Sequence, residues 1–423
     1  MDKVPTSYPK TREILYPLIL VNLLFFMWGF IWNLANVLVA LFRETFDLNN
    51  FETSLLTSIS FLAFFTMSYP AKFIIARIKT QNAIALGAFI AAIGLLIFIP
   101  AAMAMSYPLF LVGTFVMFSG VTFLQIVCNP YVRALGPPGG AASRINLSQG
   151  LVAVGAFLTA YVAGWFILKQ FEEDPFNGIV WFYLLLGIIF TTLSAMVKIS
   201  RMPANPTDDF NDGPSTGENQ FSSAKKSAWG FRHFRIGFIV MLLYMGAEAI
   251  LYQLMTPYFM EQADITKANA VDISGILFLG LMIGRLLGAG MLLRVNPGRL
   301  VGWFAIITAA LILTSMLSNG YLAIYSIVFT GFFISIMFAT IYSLAIEGLG
   351  KFTNEASSFL IMAISGGFFI PLLFGLVADY FDLKTSLIVV IIPMIFASWY
   401  GFFGARQRPS PTEQRGVQKR GRR

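Results

Sequence analysis

The sequence is poor in charge. Only 12% of its 423 residues are Asp, Glu, Lys or Arg, and 57% are hydrophobic, whereas soluble domains carry roughly a quarter charged residues. A soluble protein of this length could not cover its surface with so few charges. One membrane-spanning helix takes about 20 apolar residues, so the hydrophobic content is enough for about twelve such helices. The composition argues against soluble enzymes, nucleic-acid binders and disordered scaffolds, and it indicates a protein that crosses the membrane many times.

Cysteine and histidine are almost absent. Cys128 is the only cysteine, so the chain can form no internal disulfide and no cysteine cage for a metal. The only histidine, His233, lies in a polar connector, so metal or triad chemistry based on histidine lacks its residues. A membrane enzyme would need clustered acids, histidines or an activated nucleophile within the spans. We therefore predict a protein that is not an enzyme and that binds no cofactor or metal.

Long apolar runs bounded by Pro, Gly, Asn or charge predict the helices. Lipid leaves no water for unpaired backbone groups, so each run is predicted as a helix, and the alternating ten-residue segments of a β-barrel are not seen. The N-terminal run follows a short basic stretch without a small-residue cleavage site, which predicts a first membrane helix and not a removable signal. The runs lie at 14–40, 53–77, 82–103, 107–133, 145–169, 177–199, 235–260, 272–293, 299–318, 320–346, 356–379 and 384–405.

The sequence divides into two similar parts. A polar stretch rich in Asp, Asn, Gly, Ser and Pro separates the first six runs from the last six, and it cannot bury a core. Leu135-Gly136 and Ala142-Ser143 recur as Leu349-Gly350 and Ala356-Ser357 at one constant offset. The fold class is therefore predicted as an all-α membrane protein with twelve transmembrane helices in two pseudo-symmetric bundles that face a midplane site. The predicted domains are 1–202, a cytoplasmic linker 203–233, 234–405 and a basic tail 406–423.

The distribution of basic residues predicts the orientation. If both termini are cytoplasmic, the outer loops hold few basic residues and many acidic ones, as the positive-inside rule expects. The net charge of +8 is then a signal of topology and not of nucleic-acid binding. In this orientation the basic residues on the outer side of the membrane are Arg43, Lys169, Lys267 and Lys384.

Polar side chains recur inside the predicted helices, where they usually face a cavity or another helix. One face of the first helix, with Trp32 at its edge, carries Asn22, Gly29, Asn33 and Asn36. Amides both donate and accept hydrogen bonds, and an indole can pack against the C–H face of a sugar, so the pattern suits a neutral polyhydroxylated ligand. The alternative is that the Asn side chains bind neighbouring helices and that the Trp belongs to an interfacial belt.

The fourth and fifth helices repeat this amide chemistry. Gln125 and Asn129 lie four residues apart on one face of the fourth helix, and Gln149 follows in the fifth. Pro130 removes a backbone donor beside Asn129. These amides could tie one helix to its neighbour, but the position of Gln125 near mid-span favours exposure to a cavity.

The second bundle supplies the charges. Glu248 is the single acid at mid-span of the seventh helix, and Arg285 lies at similar depth in the eighth. Isolated charges in hydrocarbon are very unfavourable, so the two are expected to pair. Glu248 is then either a protonation site whose charge switches between access states, with Arg285 modulating it, or half of a fixed ion pair that holds two helices together.

Several short motifs occur in order from the first to the eleventh helix. They are Trp28-Gly29-Phe30, Asn129-Pro130-Tyr131, Ala142-Ser143-Arg144-Ile145-Asn146-Leu147-Ser148-Gln149, Gly246-Ala247-Glu248, Gly284-Arg285 and Ala345-Ile346-Glu347-Gly348-Leu349-Gly350 leading to Glu355-Ala356-Ser357-Ser358. Together these motifs resemble the fucose–galactose–glucose:proton symporter family of the major facilitator superfamily. The resemblance implies a twelve-helix sugar permease whose cavity is lined mainly by helices 1, 4, 7 and 10.

The chain departs from its fucose-transporting relatives at the carboxylates. The resemblance places an Asp of those relatives at Asn36 and a Glu at Gln125, and an Asn at Val152. An amide can bind a sugar but cannot carry a proton, so sugar recognition is implied more directly than the route of proton coupling.

The sequence thus predicts an importer of a monosaccharide (a hexose, 6-deoxyhexose or N-acetylhexosamine) that works by alternating access with a proton or sodium ion. It is expected to act as a monomer in a cytoplasmic (bacterial inner) membrane. An uncoupled facilitator and a non-transporting sensor are alternatives, and amide-lined faces disfavour an exporter of apolar drugs. The predicted sugar contacts are Trp32, Asn33, Asn36, Gln125, Asn129 and Gln149, and the predicted coupling residues are Glu248 and Arg285.

Overall fold

The structure is a computed structural model. It describes residues 11–34, 38, 41–42, 45–48, 50–135, 140–171, 173–200, 202 and 226–405. Asn36, the basic tail and most of the predicted linker lie outside the described residues. We call residues 203–233 the connector, and the side of the molecule at which the sixth helix ends and the seventh begins the connector face.

The first half consists of six long helices. They follow the apolar runs closely, because each run ends where proline, glycine or charge appears in the sequence. A π-helical segment, Gly164–Gln170, extends the fifth helix. The helices are α1 Thr11–Trp32, α2 Asn50–Ile75, α3 Thr80–Met103, α4 Tyr107–Ala134, α5 Ala141–Ala163 and α6 Pro175–Ile199.

The second half repeats this order, with two helices interrupted. A short break at Ser335 and Ile336 divides the tenth helix, and a 3-10 turn, Ala363–Ser365, divides the eleventh. The helices are α7 Arg232–Ala263, α8 Lys267–Met291, α9 Pro297–Leu317, α10a Gly320–Ile334, α10b Met337–Ala345, α11a Thr353–Met362, α11b Gly366–Tyr380 and α12 Ile388–Trp399, which follows the turn Leu383–Ser386.

Small residues set the close packing within each half. A Cβ added to Gly94 of α3 would lie 2.2 Å from the backbone nitrogen of Met117 in α4, and one added to Gly401 would lie 2.4 Å from the carbonyl oxygen of Gly298 in α9. Lipid gives helices no hydrophobic reason to associate, so packing of this kind holds membrane bundles together. The predicted all-α fold with two six-helix bundles is confirmed.

Eleven helices of the described part of the chain are long and apolar enough to cross a membrane. The first three turns of α5 carry Ser143, Asn146 and Gln149, and these side chains bond to other helices.

The two halves meet near the connector face. Five hydrogen bonds between described residues cross from one half to the other. All five involve the end of α2, the second half of α4 or the beginning of α5, which lie toward that face. They join Lys72 to Glu355, Ser143 to Ala289, Asn146 to Thr340, Arg285 to Gln149 and Ser357 to Ile126. In this structure the halves are therefore closed together on the connector side.

Candidate functional site

The amide face of α1 packs mainly against α5. Asn33 Nδ2 donates to the carbonyl oxygen of Ala156 at 3.0 Å, and Ser148 Oγ donates to Asn22 Oδ1 at 2.6 Å. A Cβ on Gly29 would lie 2.1 Å from the carbonyl oxygen of Val152. The regular spacing of these residues reflects contact between two helices. For Asn22 and Asn33 the structure thus favours the alternative that the sequence left open, and the placement of Asn36 lies outside the described residues.

Trp32 belongs to an aromatic cluster. Its indole packs on α2 at Phe64, with ring centroids 5.6 Å apart, and on α4 at Phe118, 5.4 Å apart. Phe61 approaches it edge-on at 6.4 Å. The indole remains partly exposed, so the cluster fixes the ring while leaving some of its surface uncovered. This rigid aromatic surface is what stacking against the apolar face of a ligand requires.

Three predicted amides form a connected group. Gln149 Nε2 donates to Asn129 Oδ1 at 3.2 Å, and Asn129 Nδ2 donates to the carbonyl oxygen of Gln125 one turn earlier at 2.9 Å. The structure therefore brings Gln125, Asn129 and Gln149 together across α4 and α5. Asn129 is fully buried and uses both ends of its amide within the protein, so it orients the amide of Gln149.

Gln125 differs from the other two amides. Its side chain is 4% exposed, and none of the described residues makes a hydrogen bond to its side-chain amide. Neither amide atom is among the fully buried side-chain atoms that lack a partner, so both keep some accessible surface. A ligand or a water molecule can therefore reach the amide of Gln125 and bond to it.

Glu248 lies in α7 and is held by tyrosine. The side chain is 5% exposed, and Tyr252 donates its hydroxyl proton to Glu248 Oε1 at 2.6 Å. Tyr244, one turn earlier, lies beside the carboxyl group and donates to the carbonyl oxygen of Ile334 at 2.9 Å. Arg285 acts on Glu248 electrostatically from α8.

The predicted ion pair between Glu248 and Arg285 is wrong as a direct contact. Both residues are described, yet their charged groups do not lie within ion-pair distance. Arg285 instead donates from Nη1 to the carbonyl oxygen of Gln149 at 2.9 Å and from Nε to that of Ser335 at 3.2 Å. The reason is the break between α10a and α10b, since interrupted helices leave carbonyl groups free to accept bonds from other side chains.

Two glycines of the sequence motifs make these contacts geometrically possible. A Cβ on Gly284 would lie 2.4 Å from Ser335 Oγ, so only glycine lets α8 approach the break in the tenth helix closely enough. A Cβ on Gly246 would lie 2.2 Å from Cβ of Ile370 in α11b. In the motifs Gly284-Arg285 and Gly246-Ala247-Glu248, a glycine therefore allows close packing of the helix and a polar residue follows it one or two positions later.

Sequence reasoning missed several groups at the interface. Tyr342 and Ser357 share a hydrogen bond at 2.5 Å, and Ser357 Oγ donates to the carbonyl oxygen of Ile126 at 2.6 Å. Ile126 is the residue after Gln125, so this contact fixes the backbone beside the Gln125 amide. The repeated Ala-Ser pair was a signal for Ser357, but Tyr342 belongs to no motif and the carbonyl acceptors are not encoded by residue type. Among the described residues, no group of three His, Cys, Asp or Glu side chains could hold a metal ion.

Comparisons with known proteins identify the family. The model of the Major Facilitator Superfamily matches residues 21–370, most of the chain. The chain belongs to the Major Facilitator Superfamily. Members of this superfamily are multi-pass membrane transporters and not enzymes, as the sequence predicts.

The relatives refine this assignment. A glucose/galactose transporter of Brucella abortus is 32% identical over 415 residues, which cover 95% of this chain and 99% of that protein. The L-fucose-proton symporter of Escherichia coli is 27% identical over 88% of each chain. A crystal structure of the superfamily transporter FucP in the outward conformation matches with a TM-score of 0.82 and 26% identity, covering 93% of this chain and 100% of that one. The resemblance to the fucose–galactose–glucose:proton symporter family is confirmed.

Proposed function

We propose that this superfamily member imports a monosaccharide by alternating access, driven by a co-transported cation. The observation that carries the proposal is the set of amides Gln125, Asn129 and Gln149, buried where the halves meet, of which the Gln125 amide makes no hydrogen bond to another described residue. Neutral amides match the donors and acceptors of sugar hydroxyls without attracting ions. Support also comes from relatives named as glucose/galactose and fucose transporters that match nearly the whole chain.

In this proposal Gln125 and Gln149 bind hydroxyl groups and Trp32 packs against the sugar ring. Asn129 holds the amide of Gln149 in position, and Asn36 stays a predicted contact from the sequence. Asn33 is proposed as a helix-pairing residue, because its amide nitrogen already donates to α5. A hexose, a 6-deoxyhexose and an N-acetylhexosamine are the candidate substrates.

We place cation coupling at Glu248. The carboxyl group is bound by a tyrosine hydroxyl and not by a contact ion pair, so it can gain or lose a proton without first breaking a salt bridge. Its charge acts on Arg285, which also joins the second half to the backbone of Gln149. Arg285 therefore interacts with the charge of Glu248 and also bonds to the backbone of Gln149, a proposed sugar-binding residue in the other half. The same bond helps to close the connector face.

The connector face is proposed as the cytoplasmic side. The closure seen there and the structural match to a transporter in an outward conformation support an outward-facing state for this structure. The bias of basic residues supports cytoplasmic termini in a bacterial inner membrane. The proposed domains are those predicted from the sequence, the proposed transporter is a monomer in the lipid bilayer, and it requires no cofactor.

The proposal is tested by uptake into proteoliposomes. Purified protein is supplied with labelled glucose, galactose, fucose and N-acetylglucosamine under an imposed proton gradient, an imposed sodium gradient, or neither. We expect accumulation of at least one sugar above its external concentration under one of the two gradients. Equilibration at the same rate under all three conditions would indicate a facilitator, and no sugar-specific uptake under any condition would contradict sugar transport.

A further inference from the structure

Two consecutive carbonyl groups at the break in the tenth helix are bonded by side chains that also act on Glu248. Tyr244 of α7 donates its hydroxyl proton to the carbonyl oxygen of Ile334 at 2.9 Å, and Arg285 of α8 donates from Nε to that of Ser335 at 3.2 Å. The same hydroxyl group and the same guanidinium group act on the carboxyl group of Glu248. The break and the carboxyl group therefore share two donors.

The carbonyl groups at the break depend on these donors. The last carbonyl groups of a helix have no donor within that helix, and Ile334 is the last residue of α10a. Ile334 is fully buried and Ser335 is 2% exposed, so water cannot readily replace a lost side-chain donor. An unpaired buried carbonyl group is unfavourable. The conformation of the break thus depends on hydrogen bonds from α7 and α8.

The hydroxyl group of Tyr244 has one proton to donate. In this structure the proton goes to the carbonyl oxygen of Ile334, while Tyr252 supplies the hydrogen bond to Glu248 Oε1 at 2.6 Å. An ionised carboxylate is a stronger acceptor than a carbonyl group, so it draws the Tyr244 hydroxyl away from the break. A protonated carboxyl group can instead donate to the hydroxyl oxygen, which leaves the hydroxyl proton on the carbonyl group. The observed bonds match the protonated form.

Few other groups influence this competition. The titratable and charged groups that act on Glu248 are Tyr244 and Tyr252 of α7 and Arg285 of α8. The helices α10, α11 and α12 also pack against α7, and their described residues present no further titratable group to the carboxyl group. Arginine stays charged and tyrosine stays protonated near neutral pH. The proton on Glu248 is therefore the variable that decides the competition.

We propose that Tyr244 is a positioning residue that transmits the protonation state of Glu248 to the break in the tenth helix. While the carboxyl group is protonated, Tyr244 and Arg285 hold the break as it is seen here. Loss of the proton draws both donors toward the carboxylate, and the break loosens.

The proposal extends to sugar binding through Arg285. Its Nη1 donates to the carbonyl oxygen of Gln149 at 2.9 Å, so a shift of the guanidinium group toward Glu248 also displaces a proposed sugar-binding residue. Protonation of Glu248 then raises the affinity for sugar, and by linkage sugar raises the affinity for the proton. This second step rests on the proposed function, whereas the first step does not.

Hydrogen–deuterium exchange read by mass spectrometry tests the first step without sugar. The reporter is a backbone hydrogen bond just after the break, from the nitrogen of Thr340 to the carbonyl oxygen of Ile336 at 3.1 Å. The protein is labelled in detergent below and above the pH at which the infrared band of the protonated Glu248 carboxyl group disappears, a band that Glu248→Gln lacks. Exchange rates are divided by those of the denatured protein at each pH. In the parent protein we expect the protection to fall about tenfold when Glu248 loses its proton.

Three variants identify the group that carries the signal. Tyr244→Phe removes the hydroxyl group and keeps the ring, so the break should be weakly protected at both pH values. Tyr252→Phe is the matched control, because Tyr252 bonds to Glu248 and not to the break, and its break should still respond to the titration of Glu248. In Glu248→Gln the break should stay protected at both pH values, since the amide carries no charge and keeps a donor for the Tyr244 oxygen.

Calorimetry tests the second step with the sugars glucose, galactose, fucose and N-acetylglucosamine. In the parent protein we expect a Kd that is about tenfold lower while Glu248 is protonated, for at least one of the four. Tyr244→Phe should bind that sugar with the weaker affinity at both pH values, and Tyr252→Phe should keep the difference.

Two results would overturn the proposal. One is a protection at the break that does not respond to pH in the parent protein, and the other is a response that survives in Tyr244→Phe. Elution as a single species in detergent shows that each variant is folded. A parent protein that binds none of the four sugars but shows the expected exchange pattern would contradict the proposed function and still support Tyr244 as the link between Glu248 and the break.

Discussion

The two halves of the molecule bring different chemistry to their shared interface. The first half contributes neutral amides and an aromatic cluster, which are Gln125, Gln149 and the rings around Trp32. The second half contributes ionisable groups, with Glu248 and Arg285 among tyrosines. Neutral amides suit the recognition of an uncharged ligand, whereas a buried carboxyl group suits the binding of a cation.

This difference suggests a division of labour between recognition and coupling. The two sets of residues are connected by Arg285 of the second half, which donates a hydrogen bond to the backbone carbonyl oxygen of Gln149 in the first half. Changes in the second half should therefore affect the driving force, and changes in the first half should affect affinity. The following predictions test this separation, beginning with the largest expected effect.

Glu248→Gln should abolish accumulation against a gradient. The amide keeps the size of the side chain and its bond to Tyr252 but cannot exchange a proton, so the ratio of internal to external sugar should fall to about one. Exchange of labelled for unlabelled sugar should continue, because binding and reorientation do not need the charge. Uptake with and without the coupling gradient measures both quantities.

Glu261→Gln is the matched control for this change, since Glu261 lies near the C-terminal end of α7 and is exposed. It should accumulate sugar like the parent. Gradient-driven accumulation that survives in Glu248→Gln would remove Glu248 from the coupling mechanism.

Gln125→Ala should raise the KM for sugar about tenfold or more. The loss of hydrogen bonds to a ligand in a buried site costs about 1–3 kcal/mol, and no described partner in the protein compensates for it. The maximal rate and the dependence on the gradient should change little. Thr122→Val, one turn earlier on α4, removes a hydroxyl that already bonds to Phe118 and should leave KM within about twofold. An equal rise in both variants would point to distortion of α4.

Trp32→Leu should weaken sugar binding several-fold. Stacking of an aromatic ring contributes about 0.5–1.5 kcal/mol beyond its buried area, and leucine retains an apolar surface. Binding measured by tryptophan-independent methods, such as calorimetry, is the appropriate test. Trp165→Leu, at a Trp that is 54% exposed on the outside of the bundle, should bind sugar normally. Unchanged affinity in Trp32→Leu would assign Trp32 to packing alone.

Asn33→Ala should have the smallest effect on transport. Its amide donates to the backbone of α5, so the change should lower stability by about 0.6 kcal/mol, the average for such bonds in membrane proteins, and leave KM unchanged. Thr159→Val, which removes a comparable bond from α5 to the carbonyl oxygen of Phe30, should behave alike in thermal unfolding. A larger KM effect in Asn33→Ala than in Trp32→Leu would show that Asn33 contacts the sugar.

The candidate residues could be selected from the sequence because their types carry the signal. Amides and acids are conspicuous within apolar helices, and so Gln125, Gln149 and Glu248 stood out. Their partners could not be predicted in the same way. Asn22 and Asn33 have the same spacing whether they face a ligand or a neighbouring helix, and the periodicity of α1 does not distinguish the two. Arg285 was expected to bind Glu248 because charges attract, and the carbonyl groups exposed by the break in the tenth helix are invisible in a list of side chains.

The sequence alone determined the all-α membrane fold and the approximate position of each span, because lipid imposes length and hydrophobicity on every span independently of the others. It did not predict the exact ends of the helices or the breaks in the tenth and eleventh. Only the tertiary structure decided which polar groups meet. Hydrogen bonds act over about 3 Å, so a rotation of α1 or a break at Ser335 changes the partner of an amide or a guanidinium without changing any residue. The ion pair of Lys72 and Glu355 is of the same kind, since the two residues are far apart in the chain and meet only where the two bundles close.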